Sequence, residues 1–150
     1  MKFSSQEEYG LRCLLRIARD GGAKGLTIPE ISQAEKLSIP NVGKLLRILR
    51  IGGFLDSSRG QTGGYALTRK PEEIFLADVL NVLGGRLYDN EFCNTHSGIE
   101  SICSNSIDCS IRSLWQLVQN SVDEVTTKIS LKDILGSGSE NMVTKIEMYN

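Results

Sequence analysis

Residues 27–55 read TIPEISQAEKLSIPNVGKLLRILRIGGFL, and this stretch decides the fold. Thr27-Ile28-Pro29-Glu30 is a capping box with proline near the first turn, and it opens a short helix through Ile31 and Ala34 to about Lys36. After Leu37 a second cap, Ser38, starts another helix. Ile39, Val42, Leu46 and Leu49 share one face of it, while Pro40, Asn41, Lys44 and Arg47 share the other. Two helices joined by so tight a turn predict a helix-turn-helix, whose second member offers its polar face to a DNA major groove. Gly43, in mid-helix, costs about 1 kcal/mol relative to alanine and allows close approach to a duplex.

Downstream, Gly52-Gly53 ends the helix and Phe54-Leu55 begins an extended segment. The glycine-rich tip Arg59-Gly60-Gln61-Thr62-Gly63-Gly64 follows, then Tyr65-Ala66-Leu67. That is a hairpin placed as a wing, with Arg59 able to enter a minor groove. Upstream, Ser4 or Ser5 caps a first helix running to about Arg19, with Gln6, Glu7 and Glu8 in its opening turn. Tyr9, Cys13, Leu14, Ile17 and Ala18 form its buried stripe.

The charge is distributed to match. Residues 1–70 carry twelve Lys or Arg against six Asp or Glu, and residues 71–150 carry five against twelve. The first half suits a polyanion and the second does not, which excludes a protein that coats nucleic acid uniformly. No apolar run reaches the roughly 18 residues of a membrane span, and Met1-Lys2-Phe3-Ser4-Ser5 lacks the apolar centre of a signal peptide, so a cytoplasmic protein without membrane contact is expected.

In the acidic half, Leu76, Val79, Leu80 and Leu83 predict a short helix that braces the wing. Ile111, Trp115, Val118, Val122, Val125 and Ile129 recur at alternating spacings of four and three, a coiled-coil seam expected to pair with its own copy. Ser130 caps a last turn through Ile134-Leu135. Between these elements fall Cys93, Cys103 and Cys109, among turn-forming residues that predict a loop. In a reducing compartment, clustered cysteines point to metal or redox chemistry rather than structural disulfides. Zinc fits poorly because its sites usually pair ligands two to four residues apart, and no two of these cysteines are so spaced. An enzyme fits poorly too: there is no Cys-x-x-Cys pair, and the single histidine has no evident orienting partner.

Phe3-Ser4, the run 27–55, and Ser58-Arg59-Gly60-Gln61-Thr62-Gly63-Gly64-Tyr65-Ala66-Leu67 resemble the Rrf2 family of bacterial winged-helix regulators, as do the three downstream cysteines and Leu114-Trp115 before a long helix. The resemblance covers about residues 1–135. It implies a mainly α fold with a small β wing, a winged helix-turn-helix plus a long dimerisation helix. It also implies a homodimer on a roughly palindromic promoter site and, in the cysteine-bearing members, a sensing iron-sulfur cluster.

On that basis residues 1–70 are expected to bind DNA, 71–135 to carry the cluster loop and dimerisation helix, and 136–150 to form a flexible tail. The expected DNA contacts are Thr27, Ser38, Asn41, Lys44, Arg47, Arg59 and Gly60. The expected ligands are Cys93, Cys103 and Cys109 with one more. In IscR-like members a histidine three residues after the last cysteine completes a two-iron cluster, but Arg112 stands there. In NsrR-like members a carboxylate near the start of the first helix, from the other subunit, takes the place, and Glu8 matches it. A 4Fe-4S cluster is therefore favoured over 2Fe-2S, with His96 and Cys13 as alternatives to Glu8. The competing expectation is a cluster-free DNA-binding regulator with inert or zinc-binding cysteines.

Overall fold

The computed structural model describes residues 3–58, 63–89, 91–97 and 109–136. Helix α1 spans Ser5–Asp20, α2 Ile28–Glu35 and α3 Ile39–Ile51. Strands β1, Leu55–Ser57, and β2, Tyr65–Leu67, pair antiparallel with Leu55 opposite Leu67. A 3-10 turn at Pro71–Glu73 leads into α4, Leu76–Leu83; then come α5, Phe92–Thr95, α6, Ser110–Thr126, and α7, Leu131–Gly136. The fold is thus mainly helical with a two-stranded wing. Among the described residues no helix is long and apolar enough to cross a membrane.

Local chemistry fixes the helix starts. Ser4 and Glu7 form a reciprocal capping box on α1, and Thr27 and Glu30 form another on α2. The turn between α2 and α3 depends on Lys36, whose φ of 57° is left-handed. It is locked by the Ser32 hydroxyl, which donates to the Leu37 carbonyl at 2.5 Å. Ser38 stands at the cap position of α3 but makes no side-chain capping bond. The wing is stitched to the loop before α2, because Leu26 and Tyr65 exchange backbone hydrogen bonds of 2.9 and 2.8 Å. Gly25 permits this contact: its φ is +70°, and a Cβ there would lie 2.4 Å from the Tyr65 carbonyl oxygen.

One hydrophobic cluster holds these elements together. Cys13, Leu14 and Ile17 of α1 meet Ile31 of α2, Val42, Leu45, Leu46 and Leu49 of α3, and Phe54 and Leu55 at the wing base. Ile74, Val79, Leu83 and Leu131 belong to the same cluster, so the core draws on residues from both sides of position 70. Helix α4 packs on α1 and α3 instead of bracing the strands. Ile39 departs from the expected buried face: it is 55% exposed, because at the first helical position it sits at the edge of the stripe centred on Val42, Leu45 and Leu49.

Polar ties then join α1 to the helix-turn-helix. Glu35 is only 9% exposed, yet both its carboxylate oxygens are taken: Arg12 Nε donates at 3.0 Å and Arg16 Nε at 2.7 Å. A second Arg12 nitrogen donates to the Glu35 carbonyl at 2.7 Å. Burial alone would push this carboxyl up, but the hydrogen bonds and charges of Arg16 and Arg12 outweigh it and hold Glu35 below the usual carboxylate range. Unfolded, Glu35 takes up its proton more readily, so its contribution is present above the ordinary carboxylate pKa and lost as pH falls through the depressed folded value.

Glu35→Ala is expected to destabilise the protein by about 2 kcal/mol at pH 7 and to flatten the loss of stability in acid, as read by urea melts at pH 7 and below pH 4. Cys13 is fully buried, and burial, then the Glu35 charge, push its thiol up to about 11. Iodoacetamide at pH 8 should label Cys93 and Cys109 in the folded, metal-free protein and reach Cys13 only after denaturation, as read by peptide mass.

Candidate DNA interface and thiol site

The exposed side of α3 carries Ser38, Ile39, Pro40, Lys44, Arg47 and Arg50, with Asn41 half-buried. Two cations one turn apart on a helix that has buried its other face form a surface able to follow a phosphate backbone. A Cβ at Gly43 would meet only Ile28 Cδ1, at 3.7 Å, so nothing inside the protein requires glycine there. Thr27 has its hydroxyl proton committed to the Glu30 carboxylate at 2.7 Å, which makes its side chain a helix cap before anything else. Arg59 and Gly60 lie outside the described residues, and so does Cys103. Beside them, Ser58 N–H donates to the Gly64 carbonyl at 3.2 Å and closes the described part of the wing.

The thiols are arranged by two helices. Cys93 lies on α5, a single helical turn where the sequence predicts only loop; its closing hydrogen bonds run from Thr95 N–H to the Glu91 carbonyl and from His96 N–H to the Phe92 carbonyl. Cys109 is the N-cap of α6, its Sγ accepting from Arg112 N–H at 3.3 Å. Both cysteines are free and half-buried. They share two neighbours that the sequence did not single out as partners. The Arg112 guanidinium lies within electrostatic range of both sulfurs, and its pKa is raised, chiefly by its interaction with Cys93. Burial, followed by the charge and hydrogen bond of Cys93, raises the Tyr88 hydroxyl. Arg112 is therefore the cation beside the two thiols.

The other ligand candidates are not at this point. Glu8 is exposed on the first turn of α1, and Cys13 is sealed in the core. His96 stacks on Phe92, 4.1 Å between centroids and 15° between planes, with Nδ1 2.9 Å from the Phe92 carbonyl oxygen. Among the described residues no group of three His, Cys, Asp or Glu side chains comes close enough to hold a metal. The donor chemistry still fits an iron-sulfur group: two uncrosslinked sulfurs lie beside a guanidinium, where thiolate ligation would concentrate negative charge.

The seam predicted along α6 divides in the structure. Ile111, Trp115 and Val125 are exposed, Val118 and Val122 half-buried. The residues that α6 buries against its own protomer are Gln119 and Thr126, off the seam. Leu114 and Leu117, at 52% and 62% exposure, extend the apolar face that remains uncovered.

Comparison with known proteins places this arrangement. Residues 3–137 match the family described as "Rrf2: Iron-dependent Transcriptional regulator". Protein rrf2 of Nitratidesulfovibrio vulgaris is 30% identical over 93% of this chain and 90% of its own length. The regulator CymR of Bacillus subtilis is 28% identical over 89% of each chain. Among solved structures, IscR from T. potens superposes with a TM-score of 0.69 at 30% identity, covering 90% of this chain and 86% of that one. The structure titled as CymR, the global cysteine regulator of B. subtilis, does so with 0.70 at 28% identity, covering 90% and 96%. With helix-turn-helix, wing and long C-terminal helix all within the matched span, the chain belongs to the Rrf2 family of transcriptional regulators.

Proposed function

We propose that this protein is a homodimeric promoter-binding regulator whose grip on DNA is set by an iron-sulfur cluster held by Cys93, Cys103 and Cys109. The observation that carries the reading is the pair of free, half-buried thiols, Cys93 on α5 and Cys109 at the N-cap of α6, in a chain that also exposes Lys44 and Arg47 on α3. Glu8 of the other subunit is the proposed fourth ligand, which favours a 4Fe-4S cluster. Ile111, Trp115, Val118, Val122 and Val125, with Leu114 and Leu117, offer the apolar face for pairing with a second copy. The two recognition helices then enter major grooves about 34 Å apart on a roughly palindromic site.

When bound, the cluster supplies iron-sulfur chemistry that responds to redox state, nitric oxide and iron supply. The chain's own residues convert its presence into position. Cys109 caps α6, so a pull on its sulfur acts on the helix terminus. Helix α6 packs on α4, α4 on α1, and α1 grips α2 through Arg12, Arg16 and Glu35. Ser38, Asn41, Lys44 and Arg47 meet the duplex, with Arg59 and Gly60 of the wing alongside and Thr27 at the start of α2.

The competing reading is a cluster-free regulator, favoured by the similarity to CymR. Anaerobic purification decides between them. Brown protein with iron and acid-labile sulfide near four of each per chain is expected, with both lost in Cys103→Ala; colourless wild-type protein without sulfide overturns the cluster. Lys44→Ala and Arg47→Ala should each weaken binding to the protein's own promoter fragment and reduce the slope of log affinity against log salt by about 1. An unchanged slope in both would remove α3 from the interface.

A further inference from the structure

The segment that delivers Cys93 runs antiparallel along α6 and touches it at successive turns. Arg86 pairs with Asp123, and the Tyr88 N–H donates to Gln119 Oε1 at 3.0 Å. The Phe92 ring lies 6.4 Å from that of Trp115, and Arg112 is within electrostatic range of Cys93. Positions 123, 119, 115 and 112 are spaced by four, four and three residues, one stripe of a helix. At the centre is Gln119, 3% exposed and satisfied at both ends, since its Nε2 also donates to Asp123 Oδ1 at 2.8 Å.

We propose that Gln119 is a positioning residue: its amide fixes the register of Arg86, Tyr88 and Phe92 on α6 and thereby the separation of Cys93 from Cys109. The proposal deepens the reading of those two cysteines as cluster ligands. The aromatic contacts in the stripe tolerate sliding, because apolar contact is non-directional. Gln119 does not tolerate it. A slip of one helical turn, about 5.4 Å, strands both its oxygen and the Tyr88 N–H in a dry interface, where an unmade hydrogen bond is costly. Only one register satisfies both groups.

The test uses the full-length, reduced, metal-free chain carrying Cys103→Ser, so that the accessible thiols are Cys93 and Cys109. The short thiol-bridging reagent dibromobimane, which becomes fluorescent on joining two sulfurs, reports their separation. Gln119→Leu is expected to slow bridging about tenfold. Gln119→Glu combined with Asp123→Asn reverses the hydrogen bond between positions 119 and 123, keeps the acceptor for the Tyr88 amide, and should restore the rate to that of Asp123→Asn alone, which shares the loss of the Arg86 ion pair. A folded Gln119→Leu protein that bridges as fast as its parent, or a failure of the double variant to restore bridging, overturns the proposal. Should Gln119→Leu not fold, amide exchange in the wild type decides: slow exchange at Tyr88 relative to Asp89 supports the clamp, and equal rates overturn it. Bridging that follows this pattern, while the wild-type chain with Cys103 in place takes up no iron or sulfide, supports the clamp and removes the cluster reading alone.

Discussion

The fold depends on α1 being held from two sides at once. Its apolar stripe, Cys13, Leu14 and Ile17, lies in the centre of the core, and its polar flank presents Arg12 and Arg16 to Glu35. An isolated buried carboxylate is costly; one receiving a hydrogen bond on each oxygen from a guanidinium is not. The consequence is directional, because α2 cannot rotate about its axis without breaking those bonds. Meanwhile the first turn of α1 is tied to the end of α4, where the Gln6 amide donates to the Leu83 carbonyl. The Gly10 Cα hydrogens lie against Leu83, so closely that a Cβ would overlap its side chain. Helix α1 therefore connects the acidic half of the chain to the helix-turn-helix.

The acidic half is organised along α6. Its buried side is polar, with Gln119 and Thr126, and its uncovered side is apolar. That is the reverse of a helix content with its own domain, and it suits a helix whose apolar face is reserved for a second copy. At the other end of the same helix, Cys109 and Arg112 bring a sulfur and a cation to the site where Cys93 arrives. A shift of this helix would be felt at the thiols and along its uncovered apolar face together.

Much of this was legible because it is written locally. The Thr27–Glu30 capping box, the abrupt turn before Ser38, the paired Gly52-Gly53 and the glycine-rich hairpin each act within a few residues, and together they specify the helix-turn-helix and wing. Long-range effects were not legible. Nothing in the spacing of Ile39 distinguishes it from a core residue; its place at the very start of α3, at the edge of the buried stripe, leaves it exposed. The periodicity of α6 marked its apolar seam but not Gln119, whose role exists only when residue 88 lies beside it. Arg112 was noticed for the histidine it replaces, and its reach to Cys93 depends on the helix at Phe92–Thr95, too short to leave a period. The three-residue interval from Cys109 to Arg112 was the available signal.

The coupling of sulfur chemistry to DNA grip is tested most directly on one sample. An anaerobic, cluster-loaded preparation is titrated with the protein's own promoter fragment at fixed salt, stripped of iron with a chelator, and titrated again. The account predicts that the Kd changes at least about tenfold, equivalent to about 1.4 kcal/mol of coupling, with binding to random DNA altered far less. Equal affinities before and after stripping, in protein that remains folded and dimeric, would contradict it.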